Sequence, residues 1–299
     1  MIEMGKNARQ AAKSLARLDS RQKNRLLLDL ADKLEQEQEH ILAANAADVA
    51  DGRAAGLSEA LLDRLALNPQ RLRGIAADLR GVADLPDPVG EVFESGVLAN
   101  GLKVRKQRVP LGVLAVIYEA RPNVTLDIFG LGFKTGNAVI LRGGSETLAS
   151  NRALVAVIRQ VLAAHQIDQN AVQFIDDPNR ALVMELLQMD AFVDMLIPRG
   201  GAALHEFCRQ NSRIPVITGG IGICHLFVES SANLQACLPL IYNAKVQRPS
   251  VCNALDTLLV QREIAAEFLP QVVAHLAPAG VSFRAEPAAL ACLQGDEFT

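Results

Sequence analysis

From Val109 onward, short apolar segments of strand length alternate with segments of helical periodicity. The segments LGVLAVIY, NAVILR, AVQFI and FVDMLIP are nearly continuous apolar runs, each followed by a helical pattern, and IPVIT and HLFVE read as later strands of the same unit. Strands that are apolar on both faces are typical of a parallel sheet covered by helices on both sides. Ligands of such sheets bind beyond the carboxyl ends of the strands. The pattern therefore predicts an α/β fold with candidate functional residues in the turns after the strands.

The residues before this alternation predict helices and one hairpin. Asp19 or Ser20 can cap a segment in which leucines recur at helical spacing, and we expect helices over residues 1–85. The segment 90–108 alternates in polarity around Asn100-Gly101, the residue pair most typical of a tight hairpin. Its basic arm favours a solvated or subunit-contact face over a nucleic-acid patch.

After the helical segment NLQACLPLIYNAK, the pattern indicates the start of a second α/β unit. REIAAEFLPQVVAHL predicts a helix and GVSFRA a short strand. We therefore expect a first domain over residues 1–245, with the hairpin inserted, and a partial second domain over residues 246–299.

Composition excludes several classes of function. The net charge is −3, aromatic residues make up 4% and tryptophan is absent, so neither a basic field nor a base-stacking platform for nucleic acid is expected. The longest apolar runs span about eight residues, against about 20 needed to cross a bilayer, and no signal peptide is visible. The five cysteines and five histidines lack disulfide or metal-ligand spacing. We expect a cytoplasmic protein without a metal site, a membrane partner or a nucleic-acid partner.

Glycine pairs follow several of the predicted strands, in LRGGSE, PRGG and TGGIG. Glycine allows close approach of the backbone to a ligand, and a following helix N-terminus can bind phosphate. One such pair is more often an ordinary tight turn, but two pairs that each follow an arginine favour phosphate or dinucleotide binding. The candidate cofactor-binding residues are Arg142, Gly143, Gly144, Ser145, Arg199, Gly200, Gly201, Thr218, Gly219 and Gly220.

The standard dinucleotide fingerprint is missing. GLGFKTG lies in a helical segment, and Phe133 stands where a phosphate-binding loop needs glycine, so we interpret it as a chance match. Arg142 closes a strand at the position where an arginine accommodates a 2′-phosphate, which favours NADP over NAD. The alternative is an arginine that faces solvent.

Cys252 lies between Arg-Pro-Ser and an apolar run. Lys245 and Arg248 lie upstream, and Pro249 favours an extended Arg248, so we expect the cysteine on a loop between elements. Cations near a thiol stabilise its thiolate, whereas cysteines within regular elements act as small hydrophobes. From these residues alone, a reactive Cys252 and a structural Cys252 are equally well supported.

The motifs YEARPNV, KTGNAVILRGGSE, MLIPRGGAALH, IPVITGGIGICH and KVQRPSVCNALDTLLV closely resemble the gamma-glutamyl phosphate reductase family of the aldehyde dehydrogenase superfamily. The resemblance implies an aldehyde-dehydrogenase-like fold, with a parallel-sheet cofactor domain, N-terminal helices, an oligomerisation hairpin around Asn100-Gly101 and the start of a catalytic domain. It also implies that NADPH reduces L-glutamyl 5-phosphate to the 5-semialdehyde, in proline biosynthesis.

The same resemblance implies roles for individual residues. Cys252 matches the catalytic cysteine, and Asn123 is a candidate donor to the oxyanion. Thr218 stands where oxidising relatives carry a glutamate that activates water, and its lack of a basic group suits an acyl-phosphate reductase. The implied partners are a second copy of the chain, in a homo-oligomer, and glutamate 5-kinase.

Chain length is a departure from this family, whose members usually continue further. We therefore expect a C-terminally truncated chain. The alternatives are a weak or inactive cofactor-binding fragment of this family and an aldehyde dehydrogenase that uses acyl-CoA.

Overall fold

Helices occupy most of the first 84 residues in the computed structural model, which describes residues 1–219, 222–249 and 251–293. Asp19, one of the two predicted caps, caps the second helix. Its carboxylate and the Gln22 side chain form a reciprocal capping box. The leucines at helical spacing, Leu26, Leu27 and Leu30, are fully buried. The helices are α1 (Ile2–Leu15), α2 (Ser20–Gln36), α3 (Gln38–Ala54), α4 (Glu59–Leu65) and α5 (Pro69–Asp84).

The predicted hairpin is confirmed. Strands β1 (Val92–Val97) and β2 (Lys103–Gln107) pair antiparallel, and Gly101 adopts a φ of 87°, which glycine accommodates without strain. Both strands are exposed along their whole length. A hairpin of two exposed strands has little stability of its own, so packing at its base or against another molecule must support it.

A four-stranded parallel sheet forms the centre of the first unit, as the apolar runs predict. Its strand order is β5-β4-β3-β6, and β3 is buried along its whole length. The strands are β3 (Val113–Tyr118), β4 (Ala138–Arg142), β5 (Val172–Phe174) and β6 (Met195–Arg199). The helices that connect or follow them are α6 (Asn123–Lys134), α7 (Leu148–Ala164), α8 (Ala181–Leu187) and α9 (Ala202–Asn211).

Three predicted strands are wrong in extent or partner. The segment IPVIT contributes only one isolated bridge, between Val216 and Leu196. HLFVE forms β7 (Cys224–Val228), which pairs parallel with β8 (Leu255–Val260) and not with the four-stranded sheet. The third segment, GVSFRA, forms no strand and pairs with no described strand.

The second unit is a β–α–β–α arrangement with its own core. Helix α10 (Leu234–Val246) connects β7 to β8, and α11 (Arg262–Leu276) and α12 (Pro287–Ala291) follow. The fully buried Phe268 of α11 belongs to a cluster with residues of α10, β7 and β8.

Contacts divide the chain between Gly219 and Gly220 into units Met1–Gly219 and Gly220–Thr299. In the second of these units, β7 and α10 pack with β8 and α11. The division at 245/246 into a cofactor domain and a catalytic domain stays a prediction. Within the described residues, no helix is both long and apolar enough to span a membrane.

Candidate active site

The ends of three strands bring most of the predicted cofactor-binding residues of the first unit to one edge of its sheet. In the parallel register Ile117 pairs with Arg142, and Tyr118 pairs with Arg199. The turns that begin at Glu119, Gly143 and Gly200 therefore leave neighbouring strands at the same edge. This is the edge where ligands of such sheets bind.

Arg142 does not simply face solvent, which was the alternative left open by the sequence. Its guanidinium is half-buried and donates to the Gly143 carbonyl at 2.6 Å and to the Pro178 carbonyl at 3.1 Å. Its Nε is buried and has no acceptor among the described residues. Burial lowers the pKa of this guanidinium, and the nearby Glu146 carboxylate opposes that shift. An unsatisfied buried donor is costly, so this atom points to a missing anionic or polar ligand.

The turn at Gly143 rests on a buried chain of polar side chains. Tyr118 donates to Thr125 at 2.7 Å, Thr125 donates to Asn151 at 2.7 Å, and Asn151 donates to Thr147 at 2.9 Å. A Cβ added at Gly143 would lie 2.2 Å from the Asn151 side-chain nitrogen. Only glycine therefore fits at this buried position of the turn.

Replacing Gly143 with alanine should damage this turn. We expect a loss of about 1–3 kcal/mol in the free energy of unfolding, because the new methyl group displaces Asn151. Urea denaturation measures the effect. The matched control is Gly201→Ala, where an added Cβ meets nothing within 4 Å; equal effects of the two substitutions would contradict the argument.

The N-terminus of α7 is already occupied by a carboxylate. Asp48 of α3, only 6% exposed, accepts from the backbone nitrogens of Ala149 at 3.1 Å and Ser150 at 2.7 Å. These nitrogens are the donors that would otherwise bind phosphate. A phosphate after β4 must therefore be held by the turn before α7. The N-terminus of α9, which begins after Gly201, has no side-chain cap and remains open.

The remaining predicted residues of the first unit lie at element ends or, for Thr218 and Gly219, in the irregular segment between α9 and β7. Asn123 is the first residue of α6, directly after β3 and its turn, and its side chain donates to Asp127 at 2.9 Å. Arg199, Gly200, Thr218 and Gly219 are exposed. Gly220 lies outside the described residues.

Cys252 lies on an exposed turn between α10 and β8, where the sequence predicted a loop. The turn is closed by backbone hydrogen bonds from Val251 to Arg248 at 3.3 Å and from Ala254 to Val251 at 3.2 Å. Lys245 donates to the Leu255 carbonyl at 3.0 Å. This lysine thus ties the end of α10 to the start of β8 and anchors the loop that presents the thiol.

Sequence reasoning missed the contact between the Cys224 thiol and the backbone of this turn. The Cys224 thiol donates to the Cys252 carbonyl at 3.4 Å, and a Cβ added at Gly222 would come within 3.3 Å of the same oxygen. The first residue of β7 therefore supports the Cys252 backbone. No local sequence pattern predicts a contact between two residues that lie 28 positions apart in the chain.

The other cysteines lie in regular elements or at their ends. Cys208 of α9 is fully buried, and burial raises the pKa of its thiol. Cys237 lies within α10, and Cys292 directly follows α12. Among the described cysteines, Cys252 alone is exposed. Accessibility singles it out as the candidate nucleophile.

The model of the aldehyde dehydrogenase family matches residues 2–288 of the chain. Gamma-glutamyl phosphate reductases of Escherichia coli strains, such as O1:K1, are 59% identical over 98% of this chain and 70% of their own length. The crystal structure of a gamma-glutamyl phosphate reductase from Thermotoga maritima is 43% identical, with a TM-score of 0.86 over 94% of this chain and 68% of that one. The Saccharomyces cerevisiae enzyme is 29% identical, with a TM-score of 0.68 over 97% and 72%.

These likenesses cover nearly the whole chain and extend to the fold as well as the sequence. They confirm the resemblance that the motifs indicated. The chain belongs to the aldehyde dehydrogenase family, and within it to the gamma-glutamyl phosphate reductases.

Proposed function

We propose that this chain reduces L-glutamyl 5-phosphate to L-glutamate 5-semialdehyde and phosphate with NADPH, a step of proline biosynthesis. The observation that carries the proposal is the 59% identity with gamma-glutamyl phosphate reductases over 98% of the chain. The exposed Cys252 turn supports it, because acyl transfer through a thioester needs an accessible thiol.

Cys252 supplies the covalent step in this proposal. Its thiolate attacks the acyl carbonyl, the bond from that carbon to the phosphate oxygen breaks, and phosphate leaves with the bonding pair. Once the thioester is reduced, the thiohemiacetal collapses, which frees the aldehyde and the thiolate. Asn123 is the proposed donor that stabilises the tetrahedral oxyanion, together with the backbone N–H of Cys252. Thr218 carries no base that could activate water and hydrolyse the thioester.

The residues at the sheet edge fit a nicotinamide dinucleotide. The buried Arg142 Nε without an acceptor and the glycine that admits no Cβ are the features expected of an anion-binding turn. We propose that residues 142–145 hold the adenosine ribose and its 2′-phosphate, and that residues 199–201 and 218–220 contact the rest of the cofactor. The bound cofactor supplies the hydride.

Replacing Arg142 with alanine should weaken NADPH binding by about tenfold or more, because a hydrogen bond between charged groups contributes about 1.5–3 kcal/mol. Affinity for NADH, which lacks the 2′-phosphate, should stay within about twofold. Titration of both cofactors separates the two effects. Arg209→Ala, on the exposed arginine that pairs with Glu206, is the matched control. Equal losses for NADPH and NADH would place Arg142 away from the 2′-phosphate.

We also propose that the hairpin mediates subunit contacts. Val97, Leu98 and Leu102 are each at least half exposed, which leaves apolar side chains on both sides of the turn. Large exposed apolar surfaces mark interaction sites. A homo-oligomer that covers the hairpin would supply the packing that two exposed strands lack.

The proposed reaction is tested with the purified 299-residue chain. Phosphate-dependent reduction of NADP⁺ in the presence of glutamate 5-semialdehyde would support it. Turnover that requires coenzyme A in place of phosphate would favour an acyl-CoA reductase. Saturable NADPH binding without turnover would instead identify a cofactor-binding protein.

A further inference from the structure

The Asn123 side chain is held in one orientation by a carboxylate one helical turn later. Its Nδ2 donates to Asp127 Oδ2 at 2.9 Å. The carboxyl oxygen is the acceptor in this bond, so the amide nitrogen faces Asp127. Among the described contacts of the Asn123 side chain this is the only hydrogen bond. One N–H of the amide therefore remains available to a substrate oxygen.

The buried Asp127 carboxyl lowers the stability of the fold. Burial raises the pKa of the Asp127 carboxyl, and the Asp78 carboxylate on α5 raises this pKa further. The hydrogen bond from Asn123 and the charge of Arg199 at the end of β6 lower the pKa, but they do not cancel the rise. A carboxyl whose folded pKa exceeds its unfolded value destabilises the fold at any pH above that unfolded value. Neutral pH lies in this range, so the buried Asp127 lowers stability there.

A residue that lowers stability while holding a candidate catalytic group is typical of functional sites. The carboxylate fixes the rotamer of Asn123 and polarises its amide, so that the second N–H becomes a stronger donor. Donors fixed in advance stabilise an oxyanion more than mobile donors do. Among the described residues Asp127 forms no ion pair within contact distance, and Arg199 acts on it only through its charge, so the Asn123 amide is its direct partner.

We propose that Asp127 is a positioning residue for Asn123, which it orients and polarises as a donor to the oxyanion formed at the acyl carbon. The inference rests on the proposed function. It predicts that loss of Asp127 lowers the rate of the chemical step and leaves cofactor binding and the fold intact.

Three variants test the role of Asp127. In Asp127→Ala, kcat of the phosphate-dependent reaction should fall about tenfold or more, with KM and NADPH affinity unchanged. Asp127→Asn retains an acceptor oxygen and should recover part of that loss, while its melting temperature should equal or exceed that of the parent. In Asp78→Asn, the matched control on the neighbouring helix, kcat should stay within about twofold. Its acid limb in the pH profile of kcat should shift to lower pH, because a charge that raises the pKa of Asp127 is gone.

The contact itself has a readout that does not depend on turnover. The side-chain amide resonances of Asn123, identified by their loss in Asn123→Ser, should shift with pH in the parent and become insensitive to pH in Asp127→Asn. Unchanged kcat in both Asp127 variants, or an equal fall in cofactor affinity, would overturn the proposal. Absence of turnover in the parent chain would overturn the proposed function. Separately, Asn123 amide resonances that do not shift with pH in the parent would overturn the role of Asp127.

Discussion

Replacing Cys252 with alanine is expected to lower turnover by at least about a thousandfold, because loss of the proposed nucleophile removes the covalent route altogether. The thiol is exposed, and the described contact of Cys252 with Cys224 is made by its backbone carbonyl. The substitution therefore leaves the turn and its packing in place. We expect an unchanged melting temperature and unchanged NADPH affinity in the variant.

The control for this experiment is Cys292→Ala. The Cys292 thiol contacts only the Ala288 carbonyl of its own helical turn among the described hydrogen bonds. Turnover of this variant should equal that of the parent, measured as phosphate-dependent reduction of NADP⁺ with glutamate 5-semialdehyde. Residual turnover of a tenth or more in Cys252→Ala would exclude the thioester route, whereas equal losses in both variants would indicate a general effect of removing thiols.

Replacing Lys23 with methionine is expected to lower the free energy of unfolding by about 3–5 kcal/mol, since it leaves a buried carboxylate unpaired. The Lys23 ammonium lies 2.9 Å from Asp87, and their side chains are 1% and 7% exposed. Ser20 donates to the same carboxylate oxygen at 2.9 Å, and the Val89 nitrogen donates to the other at 3.0 Å. The pair joins α2 to the segment that leads into the hairpin, so its loss should loosen the hairpin base as well.

The effect of this substitution should depend on pH. Burial by itself raises the pKa of Asp87, but the hydrogen bonds from Lys23, Val89 and Ser20 outweigh it, and the pKa is lowered. A lowered carboxyl pKa contributes stability above the unfolded pKa, and this contribution is lost as pH falls through the folded pKa. The difference between parent and Lys23→Met should therefore be largest near neutral pH and shrink in acid.

Urea denaturation at several pH values measures this difference. The control is Arg80→Met, which breaks an exposed pair with Asp32 and Glu35 and should change stability by no more than about 1 kcal/mol. The double variant Lys23→Met, Asp87→Leu should recover part of the loss, because no unpaired charge remains. A loss below about 1 kcal/mol for Lys23→Met would show that water reaches the carboxylate.

Local sequence patterns determined much of the fold and part of the site. Apolar runs of strand length specified the parallel sheet, because a strand buried on both faces has no polar positions. Asn100-Gly101 specified the hairpin, because its turn needs a residue with positive φ. Asn123 and Arg142 fall at the ends of elements and Cys252 falls between two elements, so element boundaries already placed these residues where ligands can reach.

Only the tertiary structure decided which distant residues meet at these positions. β7 pairs with β8 and not with the four-stranded sheet, since strand pairing depends on the available edge and not on the strand's own sequence. Asp48 reaches the N-terminus of α7 from about one hundred residues away, and so fills a site that the sequence left open to phosphate.

The same holds for the groups that support the proposed catalytic residues. The contact of Cys224 with the Cys252 carbonyl and the buried surroundings of Asp127 come from packing between elements. Periodicity and turn chemistry act over a few residues, and they therefore fix elements and their ends. Burial, electrostatic environment and the support beneath a reactive group are sums over neighbours that the folded chain alone brings together.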